Sequence, residues 1–441
     1  MSVPDEGPND TSLDSSSLSQ QDKLAARERE IDVFVHDNLT RNFIAHFAHG
    51  MLGMTGFRLI YAPTFVPAYL NLITGSAFWV GFGQSLLQLG GVMSPILGAT
   101  QIEQKKLVLP AALHIGMMMR VQMLGLALAG WFLTGSALIV STFIFLFLLG
   151  FFTGSQRVAF QVLLAKVIPI RKRGRLQAWR NMVGGAIAAL LSYWAGANLI
   201  EPEVFGNGYA TTFLLSFILT SLGLSVLYML LKEPESASIK PKIAARMRLA
   251  QFRHLLENPD YKFFLIAQTF TIAGRIALPF CIIHAADIVD ANGATIGVFT
   301  LAFLGADTLT NLLWGNLGDK YGFRSSFIAS ICLAIFGFFI MMIASSYWHF
   351  LLAFFALGAS MSGYMMSVTT LVLEFGERAD IPMRLALSTT VETTTASITP
   401  LLGGVIVSVS GLIPALVLSI GLLLLSLTTV LLKVREPRNC N

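Results

Sequence analysis

The sequence predicts an all-α membrane protein with twelve transmembrane helices in two six-helix bundles and both termini in the cytoplasm. The 441 residues are 54% hydrophobic and 12% charged, which gives more apolar surface than one soluble core can bury. Apolar stretches of about 20 residues, long enough to cross a bilayer, recur along the chain. Twenty-four of the 30 Lys and Arg residues flank every second boundary of these stretches. Because short basic loops stay cytoplasmic, this spacing predicts the topology and its orientation.

The first element, residues 1–41, is predicted to be a cytoplasmic tail. Residues 1–21 are rich in Ser, Asp and Gln and have few large apolar side chains, which favours disorder. They lack the apolar core and cleavage site of a signal peptide. From residue 22 to residue 42, charges of both signs alternate with apolar residues, as in a helix that lies on the membrane surface. Protein partners of this tail are a hypothesis.

Two sets of six spans follow the tail. The N-terminal bundle, residues 42–231, is predicted to contain spans at 42–70, 76–99, 107–133, 137–168, 176–200 and 209–231. A basic cytoplasmic linker at residues 232–261 contains Pro234, Pro241 and Pro259. The C-terminal bundle, residues 262–433, is predicted to contain spans at 262–286, 294–317, 325–345, 348–373, 382–408 and 412–432, and a short cytoplasmic tail at 434–441 ends the chain. Two six-helix halves joined by a charged hinge are typical of a two-lobed transporter.

Several classes of function do not fit this composition. The net charge of +5 is explained by basic loops that face anionic lipid headgroups, so the lipid bilayer is the expected partner and no nucleic acid is. The three cysteines, Cys281, Cys332 and Cys440, have neither metal-site nor disulfide spacing. No nucleophile motif, nucleotide-binding loop or pair of catalytic carboxylates is present, so we expect neither an enzyme nor a cofactor.

A motif follows the eighth predicted span. The stretch GNLGDKYGFR contains Gly315, Asp319, Lys320, Gly322 and Arg324, and it resembles the loop signature of the major facilitator superfamily. The resemblance covers residues 42–433 and implies a secondary transporter of a small molecule or ion. Glycines allow a tight turn at a helix end, and Asp319 with the basic pair can form cytoplasmic ion pairs that gate the transporter.

The N-terminal half departs from this signature. After the second span, Ile102 stands where the motif has Asp, and the second glycine is missing between Gly98 and Lys106. The Gly-Pro pair of many antiporters is absent, since Val183 precedes Gly184 in the fifth span, and this disfavours multidrug export. The degenerate motif leaves a second class of function open, a transporter-like scaffold that binds partners without transport.

Two stretches suggest a narrower resemblance. Residues 49–70 and 154–181 look like the magnetosome-associated branch of the superfamily. This resemblance implies iron transport for magnetite formation. It also implies a bacterial inner membrane or a magnetosome membrane as the location.

Six basic residues remain inside the predicted spans: Arg58, Arg120, Arg157, Lys166, Arg180 and Arg275. Lys166 and Arg180 lie near a cytoplasmic boundary, where long side chains can snorkel. An Arg at mid-bilayer costs about 2.5–3.5 kcal/mol, so the other four are expected to face the protein interior. Arg58, Arg120 and Arg157 either converge on a central cavity and bind an anionic substrate, or they bond to carbonyls and to amides such as Gln84, Gln88 and Gln156 and fix the helices. Arg275, in the C-terminal half, is a further candidate for substrate binding.

Two carboxylates, Asp307 and Glu392, are candidate proton-coupling residues. Glu392 is favoured because it lies in an unusually polar run at residues 388–399, which must face protein or water. A carboxylate in a low-dielectric site can exchange its proton near neutral pH. The alternative is a static ion pair between Arg275 and Asp307.

Iron ligands are sparse in the sequence. His46 and His49 share one helix face and could hold a metal, although solvated or hydrogen-bonded histidines are the more frequent case. His284, Asp287 and Asp290 lie at the predicted outer end of the seventh span, where an acidic loop is the simpler explanation. The excess of arginine favours an anionic iron chelate over a bare ion. The rival substrate is a small organic anion.

Overall fold

The computed structural model describes residues 26–102, 105–235, 254–289, 291–376 and 380–436, and these residues contain helices and no strand. Residues 26–37 are helical, as expected for the second part of the tail. The N-terminal lobe, residues 26–235, then contains α1 (Leu39–Tyr61), α2 (Phe65–Thr74), α3 (Ala77–Ile102), α4 (Leu109–Phe132), α5 (Gly135–Val167), α6 (Ile170–Ala195) and α7 (Gly208–Leu230).

The C-terminal lobe, residues 254–436, is also helical. Its helices are α8 (Pro259–Ala273), α9 (Cys281–Val289), α10 (Gly293–Leu309), α11 (Asn311–Tyr321), α12 (Phe323–Ile343), α13 (Tyr347–Glu374), α14 (Ile381–Ser410) and α15 (Leu412–Lys433). Most of the predicted linker helix and residues 1–25 and 437–441 of the tails lie outside the described residues.

The described residues include 10 helical segments that are long and apolar enough to cross a membrane. Helices α1 to α3 occupy the first two predicted spans but are not among these segments. Large apolar side chains such as Leu190, Leu309 and Leu432 are exposed on the outside of the bundle, a pattern that suits contact with lipid. The molecule is thus a multi-pass helical protein, while the number twelve and the orientation of the termini stay predictions.

Several helices begin at an asparagine cap that the sequence encodes. The side chains of Asn207, Asn258 and Asn292 each accept a hydrogen bond from a backbone N–H in the first turn of α7, α8 and α10. These bonds satisfy donors that a helix start otherwise leaves unpaired. Helix α2 ends at Gly75, which has φ +62°, the left-handed conformation that ends many helices.

Three predicted spans are broken rather than continuous. The first divides between α1 and α2 beside Pro63, and the seventh divides between α8 and α9 before Pro279. The eighth divides at Thr310 and continues as α11, so residues Gly315 to Tyr321 of the signature are helical and the predicted loop is wrong. Only at Gly322, with φ +85° and ψ 150°, does the chain turn, in a conformation almost restricted to glycine.

The two lobes pack closely at one end of the bundle. A Cβ at Gly81 of α3 would collide with the carbonyl of Pro400 and lie 2.9 Å from Cα of Gly404 in α14. A Cβ at Gly297 of α10 would likewise lie 2.9 Å from the carbonyl oxygen of Ser192 in α6. Small residues let backbones approach this closely. This is the end of the bundle at which the charge pattern predicts the outer face.

The Glu201 carboxylate adds a polar contact between the lobes at the same end. It accepts hydrogen bonds from the Asn292 amide at 3.1 Å and from the Ala294 backbone N–H at 3.0 Å, at the start of α10. Deeper in the bundle, the hydroxyl groups of Thr64 and Thr300 lie 2.7 Å apart and are fully buried. The lobes are therefore joined by both packing and hydrogen bonds on this side.

The linker begins with an anchored carboxylate on the opposite side. Glu233 pairs with Lys166 and accepts hydrogen bonds from the backbone N–H groups of Val108 and Leu109, each at 2.7 Å. It thus caps the start of α4 and satisfies two free donors there. Lys166, expected to snorkel to the headgroups, is held by this protein carboxylate instead.

Candidate functional site

An ion pair joins the lobes near the middle of the bundle. Arg58 of α1 lies 2.9 Å from the Asp307 carboxylate of α10, and the same guanidinium nitrogen donates to the Thr308 hydroxyl at 3.1 Å. The two charged side chains are only 17% and 18% exposed. Asp307 is therefore paired with Arg58 from the other lobe, and the alternative of an Arg275–Asp307 bridge is wrong.

A cavity of about 360 Å³ opens in the N-terminal lobe between α1, α5 and α6. Apolar side chains, among them Phe57 and Phe160, form part of its wall. The polar part of the wall contains cationic, amide, hydroxyl and imidazole groups and no carboxylate among the described residues: His49, Thr153, Gln156, Arg157, Gln161, Gln177, Arg180 and Asn181. The cavity lies along the halves of α1, α5 and α6 that are farther from the closely packed end of the bundle.

Arg157 connects this cavity to the C-terminal lobe. Its side chain is exposed in the cavity wall and interacts electrostatically with Glu392 of α14. Glu392 also interacts with Arg275, which follows α8. The structure thus groups two of the predicted arginines around the favoured proton-coupling residue.

Arg275 contacts buried and partly buried side chains of the C-terminal lobe. Its guanidinium carbon lies 4.2 Å from the ring centre of Tyr364, and one nitrogen lies 2.8 Å from the sulfur of Met361. The Tyr364 hydroxyl accepts from Gln268 at 3.4 Å, and Gln268 accepts from the Ser388 hydroxyl at 2.9 Å. Ser388 precedes Glu392 by one helical turn and is buried, whereas Thr389, Thr390 and Thr394 of the same polar run are exposed.

Arg120 lies away from the cavity wall. It is 1% exposed and donates to the Gly116 carbonyl at 2.6 Å, and Nε and Nη2 have no partner among the described residues. Of the three arginines predicted to converge on the cavity, only Arg157 is part of its wall. The geometry of Arg120 fits the alternative in which an arginine bonds to a carbonyl and fixes a helix.

The predicted histidine pair is buried and does not form a metal cluster. His49 stacks on Phe160 with ring centres 4.4 Å apart, and His46 meets the same ring edge-on at 6.4 Å. Neither Nδ1 has a partner in the described part of the chain. At the other end of the bundle, Asp290 is outside the described residues, and those described contain no group of three potential metal ligands.

The signature residues are arranged around the ends of helices. Asp319 and Lys320 are exposed near the end of α11, and the Lys320 ammonium lies 5.0 Å from the ring centre of Tyr321. Arg324 donates to the carbonyl oxygens of Val434, Val430 and Leu431 at the end of α15, at 2.7, 3.2 and 3.2 Å. Arg324 thereby satisfies carbonyls that the helix end leaves without donors.

Arg180 is the main cavity residue that the sequence did not indicate. Counting charges placed it near a membrane boundary, whereas it lies half-buried in the cavity wall with Gln177 and Asn181 from the same helix. All three follow the basic start of α6, and their spacing of three and four residues puts them on one helix face. This spacing of polar residues is the feature of the sequence from which a polar helix face containing Arg180 could have been predicted.

Comparisons with known proteins agree with this architecture. Residues 263–439 match the family model of the Major Facilitator Superfamily. The structure of a D-xylose-proton symporter is similar, with a TM-score of 0.72 and 14% identity, over 91% of this chain and 99% of that one. The nucleoside transporter NupG gives a TM-score of 0.67 and 12% identity over 88% and 98% of the two chains.

A third solved structure also shares the fold. A bacterial homolog of the human lysosomal transporter Spinster, in an inward-facing and unoccupied conformation, gives a TM-score of 0.67 and 13% identity over 90% and 97% of the two chains. No curated protein matches the sequence. The chain therefore has the fold of these transporters, and its C-terminal half carries the sequence pattern of the superfamily.

Proposed function

We propose that the whole chain is a secondary active transporter of the major facilitator superfamily that moves a small solute by alternating access. The observation that carries this proposal is a cavity at one end of the bundle whose wall residue Arg157 interacts with Glu392 of the other lobe. The opposite end is closed by contacts between the lobes such as Gly81 with Gly404. This is the arrangement needed for a site that is open to one side at a time.

Protons are the proposed coupling ion. An ionised Glu392 neutralises part of the charge of Arg157 and Arg275, which reduces their attraction for an anionic solute. A proton bound to Glu392 releases both guanidinium groups for the solute, so proton and anion bind together. The xylose-proton symporter shares this fold, and symport is proposed here because Glu392 interacts electrostatically with both Arg157 and Arg275.

The substrate is proposed to be a small organic anion, with an anionic iron chelate as the second candidate. His46 and His49 are packed against Phe160, and the described residues hold no metal cluster, so the structure adds no support for a bare iron ion. The magnetosome branch likewise has no support in the comparisons. A bacterial inner membrane remains the proposed location, and protein partners of the tail remain a hypothesis.

Uptake into proteoliposomes tests this function. Radiolabelled succinate, citrate, ferric citrate and free iron are offered with and without an imposed proton gradient. We expect one of the anions to accumulate only with the gradient, and Glu392→Gln to exchange solute across the membrane without accumulating it. Glu203→Gln, at an exposed loop position, is the matched control and keeps accumulation. Folded protein that moves none of these solutes would favour the scaffold.

A further inference from the structure

We infer that Arg180 and Arg157 together form a site for a small dianion, with paired carboxylates or a phosphate group, inside the cavity of the N-terminal lobe. This inference rests on the proposed function and specifies the chemistry of its substrate. Both guanidinium groups belong to the same cavity wall, which contains no carboxylate among the described residues. The ligand must therefore supply the negative charge that the wall lacks.

Arg180 has an unused donor inside the protein. Its Nε is buried and has no hydrogen-bond partner in the described part of the chain. Leaving a charged donor buried without an acceptor is costly, so this donor calls for an explanation such as a bound ion, ligand or water. Arg157, by contrast, already interacts with Glu392. No carboxylate among the described residues forms an ion pair with Arg180, so its positive charge is available to a ligand.

Gly50 provides the space that Arg180 occupies. A Cβ at residue 50 would collide with Nε of Arg180, and with Cδ and Cζ of the same side chain. The guanidinium therefore lies directly across the backbone of α1, and any larger residue at this position would displace it. The proposed site therefore requires glycine at position 50 as well as arginine at position 180.

Neutral donors complete the chemistry of the wall. Gln156, Gln161, Gln177 and Asn181 present amide groups that can donate to further oxygens of a ligand. Guanidinium groups bind carboxylate and phosphate oxygens through two parallel hydrogen bonds. Two such groups and several amides suit a ligand with two anionic ends or one doubly charged group better than a neutral sugar.

Binding to the purified full-length chain in detergent tests the inference without requiring transport. Succinate, citrate and inorganic phosphate are titrated calorimetrically, with D-xylose as a neutral probe. We expect at least one dianion to bind and the sugar not to bind. Arg180→Gln should weaken the dianion at least tenfold, while Arg180→Lys keeps part of the affinity because the charge remains. Arg171→Gln, exposed on the same helix, is the control and changes nothing.

A second variant distinguishes loss of the binding site from loss of folding. Gly50→Ala should weaken the dianion as Arg180→Gln does, whereas Gly174→Ala in α6, where an added Cβ meets nothing within 4 Å, should not. Equal affinity in wild type and Arg180→Gln, or no binding of any dianion, overturns the inference. Loss of dianion affinity in nanodiscs that contain phosphatidylglycerol also overturns it, because a lipid headgroup then fills the site.

The two proposals can fail separately. A chain that binds a dianion through Arg180 but never accumulates it would contradict the transport function alone. A chain that accumulates a solute under a proton gradient but binds no dianion would contradict the dianion site alone.

Discussion

The ion pair between Arg58 and Asp307 is the clearest single contact between the lobes. Removing only Arg58, as in Arg58→Gln, leaves a largely buried carboxylate without its cation and is expected to cost roughly 3 kcal/mol. Arg58→Gln/Asp307→Asn removes both charges and should recover most of that loss. Thermal unfolding of the purified variants measures the coupling between the two residues.

Lys172→Gln, an exposed position on α6, serves as the control for this double-mutant cycle and should unfold like wild type. A double variant as unstable as Arg58→Gln alone would show that the two side chains do not act as a pair.

At the residue scale, the sequence located the charged groups inside the spans but not all of their partners. It located Glu392 in a polar run whose side chains are partly buried and partly exposed, because polarity can be read along one helix. It did not pair Asp307 with Arg58, because these residues are about 250 positions apart in the chain. A single sequence does not show which residues of the two lobes lie close together. It missed Arg180 because a position near a span boundary also suits a solvated arginine.

At the scale of elements, the turn after α11 depends on one backbone conformation. Gly322→Ala forces a side chain into φ +85°, ψ 150° and against the Glu436 carboxylate, at an expected cost of about 1–3 kcal/mol. Gly315→Ala, in the same motif but inside α11 with open space around it, should instead stabilise by roughly 0.5–1 kcal/mol. Melting temperatures should therefore shift in opposite directions, and two equal shifts would contradict this assignment.

The contact between α3 and α14 holds the closed end together. Gly81→Ala inserts a methyl group against Pro400 and Gly404, and overpacking of this kind costs about 1–3 kcal/mol. The substitution destabilises only the conformation in which this end is closed. The population should therefore shift toward a conformation that is open at this end.

Spin labels at the exposed positions Leu72 and Val409, one in each lobe, report the opening as a distance. The distance distribution should lengthen in Gly81→Ala and stay unchanged in Gly91→Ala, where the nearest atom to the added Cβ is 3.7 Å away. An unchanged distribution in Gly81→Ala would mean that this contact does not hold the lobes closed.

The sequence indicated most helices but not their interruptions. Apolar length predicts where a helical segment lies along the chain. Hydropathy records neither the break beside Pro63 nor the continuation of α11 through the signature. The signature showed the family resemblance correctly and its local structure incorrectly.

At the scale of the whole molecule, the two lobes are in contact at one end of the bundle, and the N-terminal lobe contains a charged cavity toward the other end. Basic residues in alternate loops and two sets of spans predict two six-helix lobes, because both patterns follow from the bilayer itself. The chemistry of the cavity could not be predicted in the same way, since it arises where α1, α5 and α6 meet.

The central claim is that solute and proton cross together, and proton entry into sealed proteoliposomes tests it most directly. A pH-sensitive dye is enclosed with the reconstituted chain, and a small organic anion such as succinate or citrate is added outside without an imposed gradient. We expect the interior to acidify when the transported anion is added, and Glu392→Gln to abolish that signal. Uptake of the same anion with no change in internal pH would contradict proton coupling through Glu392.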